Sequence, residues 1–459
     1  MKHIITFSLF ALLFSATTLT AQQPEIQYFR PWNKAGINVF EPAKSAPQPE
    51  FTGIKVRIGG AFTQDFQSLK SENEPTYVAT SPTNAANKNF LYGVVKADDS
   101  TSVSLSGFNL AMANLNLDIQ LADGIRVCLE NYMSSRHHSE FWVKGGYIQI
   151  DKLPMFNNPQ WYTDYVRVKI GHFQPNFGDM QFRRTDAGNA MFNPFVENLI
   201  FDAFTTEIGA EAYVFPIKGL MLMGGMTSGF INGNIDNYPD VAVAPAVEPS
   251  QKKPSITLKA AYDNNWGALR FRLSASLYNN NGSARNTLYA GDRAGSHYFM
   301  VAEPSNGTYA GNKDSGRFTG LSIGNKVNAI MINPFLKFHG LEVFGSYEII
   351  KGRTNSEKNG DERKFNQVAV EGLYRFLKDE QAYIGARYVQ AKGELQTAQP
   401  RIYQDITINR LAFAAGWFPT KNMMLKGEYV TQEYKDFAVT DYRNGAKFGG
   451  FVIEAIIGF

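Results

Sequence analysis

The 459 residues carry 45 Lys and Arg against 42 Asp and Glu, a formal net charge of +3, with 44% hydrophobic, 14% aromatic and only 19% charged residues. That balance excludes a general polyanion binder, so no nucleic-acid partner is expected, and a single cysteine, Cys128, excludes an internal disulfide framework or a multi-cysteine metal cluster. Beyond the N-terminus no apolar run reaches the roughly 20 residues that a membrane helix needs, which leaves a large secreted β protein or a membrane protein built from strands.

The chain starts on a short basic segment, Met1-Lys2-His3, followed by an apolar stretch from Ile4 to Leu19 and a small residue, Ala21, before Gln22. This order predicts a signal peptide over residues 1–21 and hence export. Residues 22–50 hold Pro24, Pro31, Pro42, Pro47 and Pro49 around an aromatic patch, Tyr28-Phe29-Arg30-Pro31-Trp32. Proline at that spacing blocks both helix and ladder, so the segment is expected as a Pro-rich periplasmic lead, either a linker or a binder of a partner beneath the membrane.

From Phe51 the pattern has period two. Ala111, Ala113, Leu115, Leu117, Ile119 and Leu121 alternate with Asn114, Asn116, Asp118 and Gln120, which gives one strand with an apolar and a polar face. Asp123-Gly124 then turns the chain into a second alternating run, Ile125, Val127 and Leu129 against Arg126, Cys128 and Glu130. The same reading recurs along residues 51–459 and yields about sixteen strands, with brief links alternating with long polar ones. The expected fold is all-β: a transmembrane, antiparallel, up-and-down β-barrel with both chain ends on the short-turn side. A soluble β-sandwich would not need strands of about ten residues or loops segregated by length. The closing run Phe451, Ile453, Ala455, Ile457, Phe459 alternates to the last residue.

A sixteen-strand barrel encloses a lumen too wide for wall side chains to fill. The third long connection, residues 174–203, is rich in Phe and Asn and is expected to fold inward and narrow it; an external Ω-type loop is the competing placement. Asp179, Arg183, Arg184 and Asp186 are its candidate constriction residues, and parity assigns Lys55, Arg57, Arg126, Arg167, Lys169, Arg270 and Arg272 to the pore lining. Inward basic and acidic residues come out nearly balanced, about 13 against about 10, so selectivity would rest on the local field at the narrowest point. The two loop arginines suit phosphate, sulfate or carboxylate through their planar forks. Asp179, Asp186, Glu197 and Asp202 in the same loop offer them internal partners instead, which would leave a neutral eyelet.

The strand count, the inward third loop and the terminal Phe459 resemble bacterial outer-membrane porins. The passage Val168-Lys169-Ile170-Gly171-His172-Phe173-Gln174-Pro175-Asn176-Phe177-Gly178 is similar to the strand-to-loop passage of the phosphate-selective porin family, although Gln174 stands where that family commonly has Lys. The resemblance implies an outer-membrane location and a channel for passive diffusion of small hydrophilic solutes or anions; the weak anion preference expected of it rests on Arg183 and Arg184 with Arg167 and Lys169. It further implies Phe459 as a signal to the barrel-assembly machinery, contact with outer-membrane lipid, and association as a homotrimer. The alternative is a non-conducting barrel that serves secretion, assembly or adhesion. His137, His138 and Glu140 near the outer rim are the only grouped acid–base candidates; neither a nucleophile elbow nor a zinc spacing is visible, and no enzyme activity, metal or cofactor is expected.

Overall fold

The computed structural model describes residues 23–74, 91, 103–135, 138–229, 253–283, 285–292, 294–305, 307–308, 315–319, 321–354, 357, 362–397 and 402–459. The signal peptide and His137 lie outside the described residues, as does the side chain of His138.

Sixteen strands form: β1 (Lys55–Glu72), β2 (Val103–Ala122), β3 (Ile125–Ser134), β4 (His138–Ile150), β5 (Val166–Phe173), β6 (Glu207–Ile217), β7 (Leu220–Thr227), β8 (Ser255–Trp266), β9 (Leu269–Asn280), β10 (Lys326–Phe338), β11 (Leu341–Arg353), β12 (Arg363–Phe376), β13 (Ala382–Gln396), β14 (Tyr403–Thr420), β15 (Met423–Lys435) and β16 (Lys447–Gly458). Each pairs antiparallel with its chain neighbour, and β16 pairs with β1, so the sheet closes on itself. Closure leaves no unpaired edge, the condition for a sheet to stand in lipid. Several strands run further than the alternation alone predicts. The first continues to Glu72, because its pairing with β16 persists out to Lys447.

The tight links are made where residues tolerate positive φ. Gly124 (φ 73°) and Gly219 (φ 86°) turn β2 into β3 and β6 into β7, and a Cβ on Gly124 would meet Lys152 at 2.4 Å. The one short-side exception is the link from β4 to β5, which carries a brief helix, Gln160–Tyr165.

Alternation sorts the wall into two faces. Along β12 every second residue is buried, with Glu371 1% exposed, whereas Val370 and Tyr374 on the other face are 52% and 55% exposed. The outer face carries large exposed hydrophobics on strand after strand, among them Leu411, Phe413, Phe451 and Ile453. An apolar band of this kind is stable against hydrocarbon and not against water.

The interior is packed rather than open. One apolar cluster joins wall residues Phe335, Phe344, Phe365, Ile408 and Val452 to Phe177, Phe195, Val196 and Phe201 of the third long connection, and to Phe40 and Tyr298. Phe40 belongs to residues 23–54 and Tyr298 to the connection after β9. The lead is therefore not an extended linker outside the barrel. Gln27 donates from its backbone to Gln120 Oε1 (3.1 Å), Trp32 Nε1 donates to Asp118 Oδ2 (3.1 Å), and Lys34 N donates to Lys421 O (2.9 Å). The prolines that bar helix and ladder leave backbone groups unpaired, and here side chains of the inner wall satisfy several of them.

Candidate functional site: the lumen and its filling segments

The third connection leaves β5 through Gln174-Pro175 and turns at Gly178 (φ 70°), where a Cβ would sit 2.2 Å from Met331 Sδ. Only glycine fits there, and it brings Asp179 N within 2.8 Å of Asn333 Oδ1 on β10. Two 3₁₀ turns follow, Met180–Arg183 and Asp186–Phe192. Beyond them the backbone is held by the inner face of β12–β15. Gln367 accepts from Phe201 N and donates to Phe201 O, both at 2.8 Å; Tyr383 OH donates to Pro194 O (2.8 Å); Lys426 Nζ donates to Phe195 O (2.8 Å); Glu428 accepts from Val196 N (2.9 Å).

Four charge clusters complete this attachment. Asp179 and Glu41 of the lead share the same two cations. Arg272 reaches Asp179 through Nε and Nη2 (2.8 and 2.9 Å) and Glu41 at 2.8 Å, while Lys259 stands 2.8 and 2.9 Å from the two acids. Burial opposes the charge of Glu41, but Arg272 and Lys259 outweigh it and hold the carboxyl down at about 2. Arg183 is 1% exposed and bridges Glu342 (3.0 Å) and Glu371 (2.9 Å), which Arg375 and Arg387 also contact. Arg184 pairs with Asp186 and Asp202, and Arg317 from the connection after β9 meets Asp186, Glu197 and Asp202 at 3.1, 2.7 and 3.0 Å.

The fourth cluster is His297, fully buried, with Nδ1 2.8 Å from Asp65 Oδ2 and 3.2 Å from Glu454 Oε1. Its Nε2 stands 3.1 Å from Thr185 O, so a doubly protonated ring ties the connection after β9 to both the wall and the third connection. These three donors lie close enough to one another to surround an ion, but the Lys426 ammonium already occupies Glu454 Oε2 at 2.7 Å. The cluster is thus a buried ion-pair set. Burial opposes the imidazolium, yet Asp65 and Glu454 outweigh it and raise the His297 pKa well above its ordinary value. A raised folded pKa gives stability that is complete below the unfolded value of about 6.5 and is lost as pH rises through the folded one. Hydrogen exchange over residues 285–305 is therefore expected to stay slow near neutrality and to accelerate in alkali beyond the intrinsic rise, and His297→Gln to remove that extra pH dependence. Exchange with an unchanged pH profile in the variant would contradict the assignment.

The candidate residues separate by position. Arg184 and Asp186 border a cavity of about 200 Å³ that lies against β3–β6, together with Arg126, Arg167 and Lys169. Arg57, Arg270 and Arg272 border a second, wider space of about 1090 Å³ on the short-turn side. Lys55 sits at the rim, donating to Glu25 O (3.3 Å) and Glu50 O (3.4 Å). Tyr28, Phe29, Phe40, Glu41 and Pro42 line both spaces, so the lead segment forms the partition between them.

Two expectations need correction. Asp179 and Arg183 do not face open lumen; they are buried against β8–β13, because the wall presents Lys259 and Arg272 to one and Glu342 and Glu371 to the other. The paired arginines therefore do not make a free positive eyelet. The sequence reading also missed the lead segment and the connection after β9 as filling segments. The aromatic patch at residues 28–32 was the available signal for the first; nothing local marked His297 or Arg317. Phe459 is at the seam, exchanging backbone hydrogen bonds with Gly60 at 3.0 and 3.1 Å.

No family model matches the chain, and no curated protein matches it by sequence. Among solved structures it is similar to the anion-selective porin from Comamonas acidovorans, at 11% identity and a TM-score of 0.50 over 88% of this chain and 100% of that one. It is also similar to the outer-membrane channel DcaP of Acinetobacter baumannii (12%, TM-score 0.49, 90% and 100%) and to OmpF of Salmonella typhi (11%, TM-score 0.48, 89% and 98%). The likeness to the Comamonas barrel shows the fold: a closed sixteen-strand barrel of the porin type.

Proposed function

We propose that this protein is a porin-like channel of the bacterial outer membrane, for passive diffusion of small hydrophilic solutes with a weak preference for anions. The observation that carries the reading is the pair of spaces left within the packed interior, of about 200 and 1090 Å³. The third connection packs against β8–β16 and, through Asp186–Phe192, against β1–β3, and the remaining cavity adjoins the wider space through the lead segment. Its cations are not all matched. Lys169 has its nearest carboxylate at 3.9 Å, on Glu211, and Lys144 at 3.5 Å, on Asp292. Both keep some exposure, 16% and 13% of their side chains. Charges at a constriction act over distances shorter than the roughly 8–10 Å Debye length at physiological salt, so this surplus biases which ions enter. Phosphate selectivity is less well supported: Gln174, which borders the cavity, is neutral. Phe459 at the seam is consistent with an assembly signal. The tight filling also favours a second reading, a closed barrel with a scaffold or adhesion role, which a bilayer recording separates.

In a planar bilayer with a KCl gradient, the reversal potential is expected on the anion side of zero, and Lys169→Glu to move it toward cations. Clear cation selectivity of the unaltered protein would end the anion reading.

A further inference from the structure

We propose that the cavity against β3–β6 is a transit site for small monovalent carboxylates carrying a flat apolar body, of which benzoate is the simplest probe. The inference rests on the channel reading and adds the class of solute. Three cations there lack a tight carboxylate partner. Lys169 and Lys144 are described above, and Arg30 of the lead has no carboxylate within ion-pair distance among the described residues; it is held by Phe182 O (2.6 Å) and Gly36 O (3.0 Å). Each of these cations lies over an aromatic face. Lys169 Nζ is 4.1 Å from the Phe173 centroid and 4.5 Å from that of Tyr147; Arg30 Cζ is 4.0 Å from that of Phe192; Lys144 Nζ is 4.8 Å from that of Phe204. Lys169, Lys144 and Arg30 thus line one small space together with the Phe173, Tyr147 and Phe192 rings, with Phe29 on the partition.

That lining discriminates by chemistry. Glu41, Glu130 and Asp186 also border the cavity, so carboxylates and rings interrupt the cationic lining. A tetrahedral oxyanion stripped of water needs donors on every side, and rings supply none. Acetate satisfies the cations but gains nothing from the apolar faces, whereas a neutral sugar gains nothing from the charge. A flat acid uses both, its carboxylate on a cation and its ring on a ring. The volume of about 200 Å³ is below the range of roughly 300–1,000 Å³ typical of drug-sized ligand sites, which suits a single-ring solute.

Two measurements on the full-length protein test this. In bilayers, benzoate is expected to reduce chloride current at concentrations where acetate and inorganic phosphate leave it unchanged. Lys169→Gln should weaken that block by about tenfold, with recovery in Lys169→Arg, and Phe29→Leu should lower the preference for benzoate over acetate. Equal block by acetate, stronger block by phosphate, or an unaffected Lys169→Gln would overturn the proposal. Equilibrium dialysis of labelled benzoate against the detergent-solubilised protein reads the site without current. Saturable binding in an electrically silent barrel would leave the site standing and remove the channel; absence of saturable binding would remove the site.

Discussion

Arg183→Met is expected to lower the stability of the vesicle-folded barrel by about 3 kcal/mol in urea, with ion selectivity little changed. Removing one partner of a buried ion pair typically costs about 3–5 kcal/mol, because the other charge is left in a poorly solvating interior. Arg183 serves two acids, Glu342 and Glu371, and also donates to Asn38 Oδ1 at 2.7 Å. The loss falls at the low end because Arg375 still reaches Glu342 (2.9 Å) and Arg387 still reaches Glu371 (2.7 Å). Arg183→Lys should fall between the two, since an ammonium keeps the charge but cannot span both carboxylates as a planar fork does. If Arg183 instead projected into water as an eyelet charge, the substitution would shift the reversal potential and leave the urea midpoint in place.

Deletion of residues 23–50 is expected to raise the size limit of the channel. The lead separates a space of about 1090 Å³ from one of about 200 Å³. Its hold on the wall combines the Phe40–Phe335 ring contact (5.5 Å between centroids) with distributed polar bonds: Gln27 to Asp123 (2.9 Å), Trp32 to Asp118 (3.1 Å), Glu41 to Lys259 (2.9 Å) and Arg272 (2.8 Å). Asp179 stays 2.8 Å from both Lys259 and Arg272 once Glu41 is gone, so the wall loses a partition while both cations keep a carboxylate contact and the cluster gains one net positive charge. In a liposome-swelling assay the full chain should pass monosaccharides and exclude trisaccharides, and the deleted form should pass both. The same cut-off in both proteins would mean that the lead does not border the path.

How much of this was legible in the sequence depends on whether the signal was local. The strands were, because period two is a property of neighbouring residues. Asn114, Asn116 and Asp118 face inward and Leu121 outward, as their alternation requires. Wall charges such as Arg126, Arg272 and Glu371 are buried on the inner face, where the alternation places them away from lipid, since a charge on the lipid side costs about 2–4 kcal/mol at the midplane. Pairing was not legible. Arg183 and Arg184 look alike in sequence, but one meets glutamates of β11 and β12, and the other aspartates of its own connection. Those partners are 159 and 188 residues away in the first case and 2 and 18 in the second. His297 is more distant still from what defines it, lying 232 residues from Asp65. The lead was misread because proline density argues against regular structure and says nothing about burial; its aromatic patch was the countervailing evidence.

Single-channel recording of the full chain in a planar bilayer tests the central claim most directly. A barrel narrowed, but not closed, by the third connection and the lead predicts small, discrete conductance steps that grow when residues 23–50 are removed. A membrane that incorporates the folded protein and stays electrically silent, with and without those residues, would contradict the account.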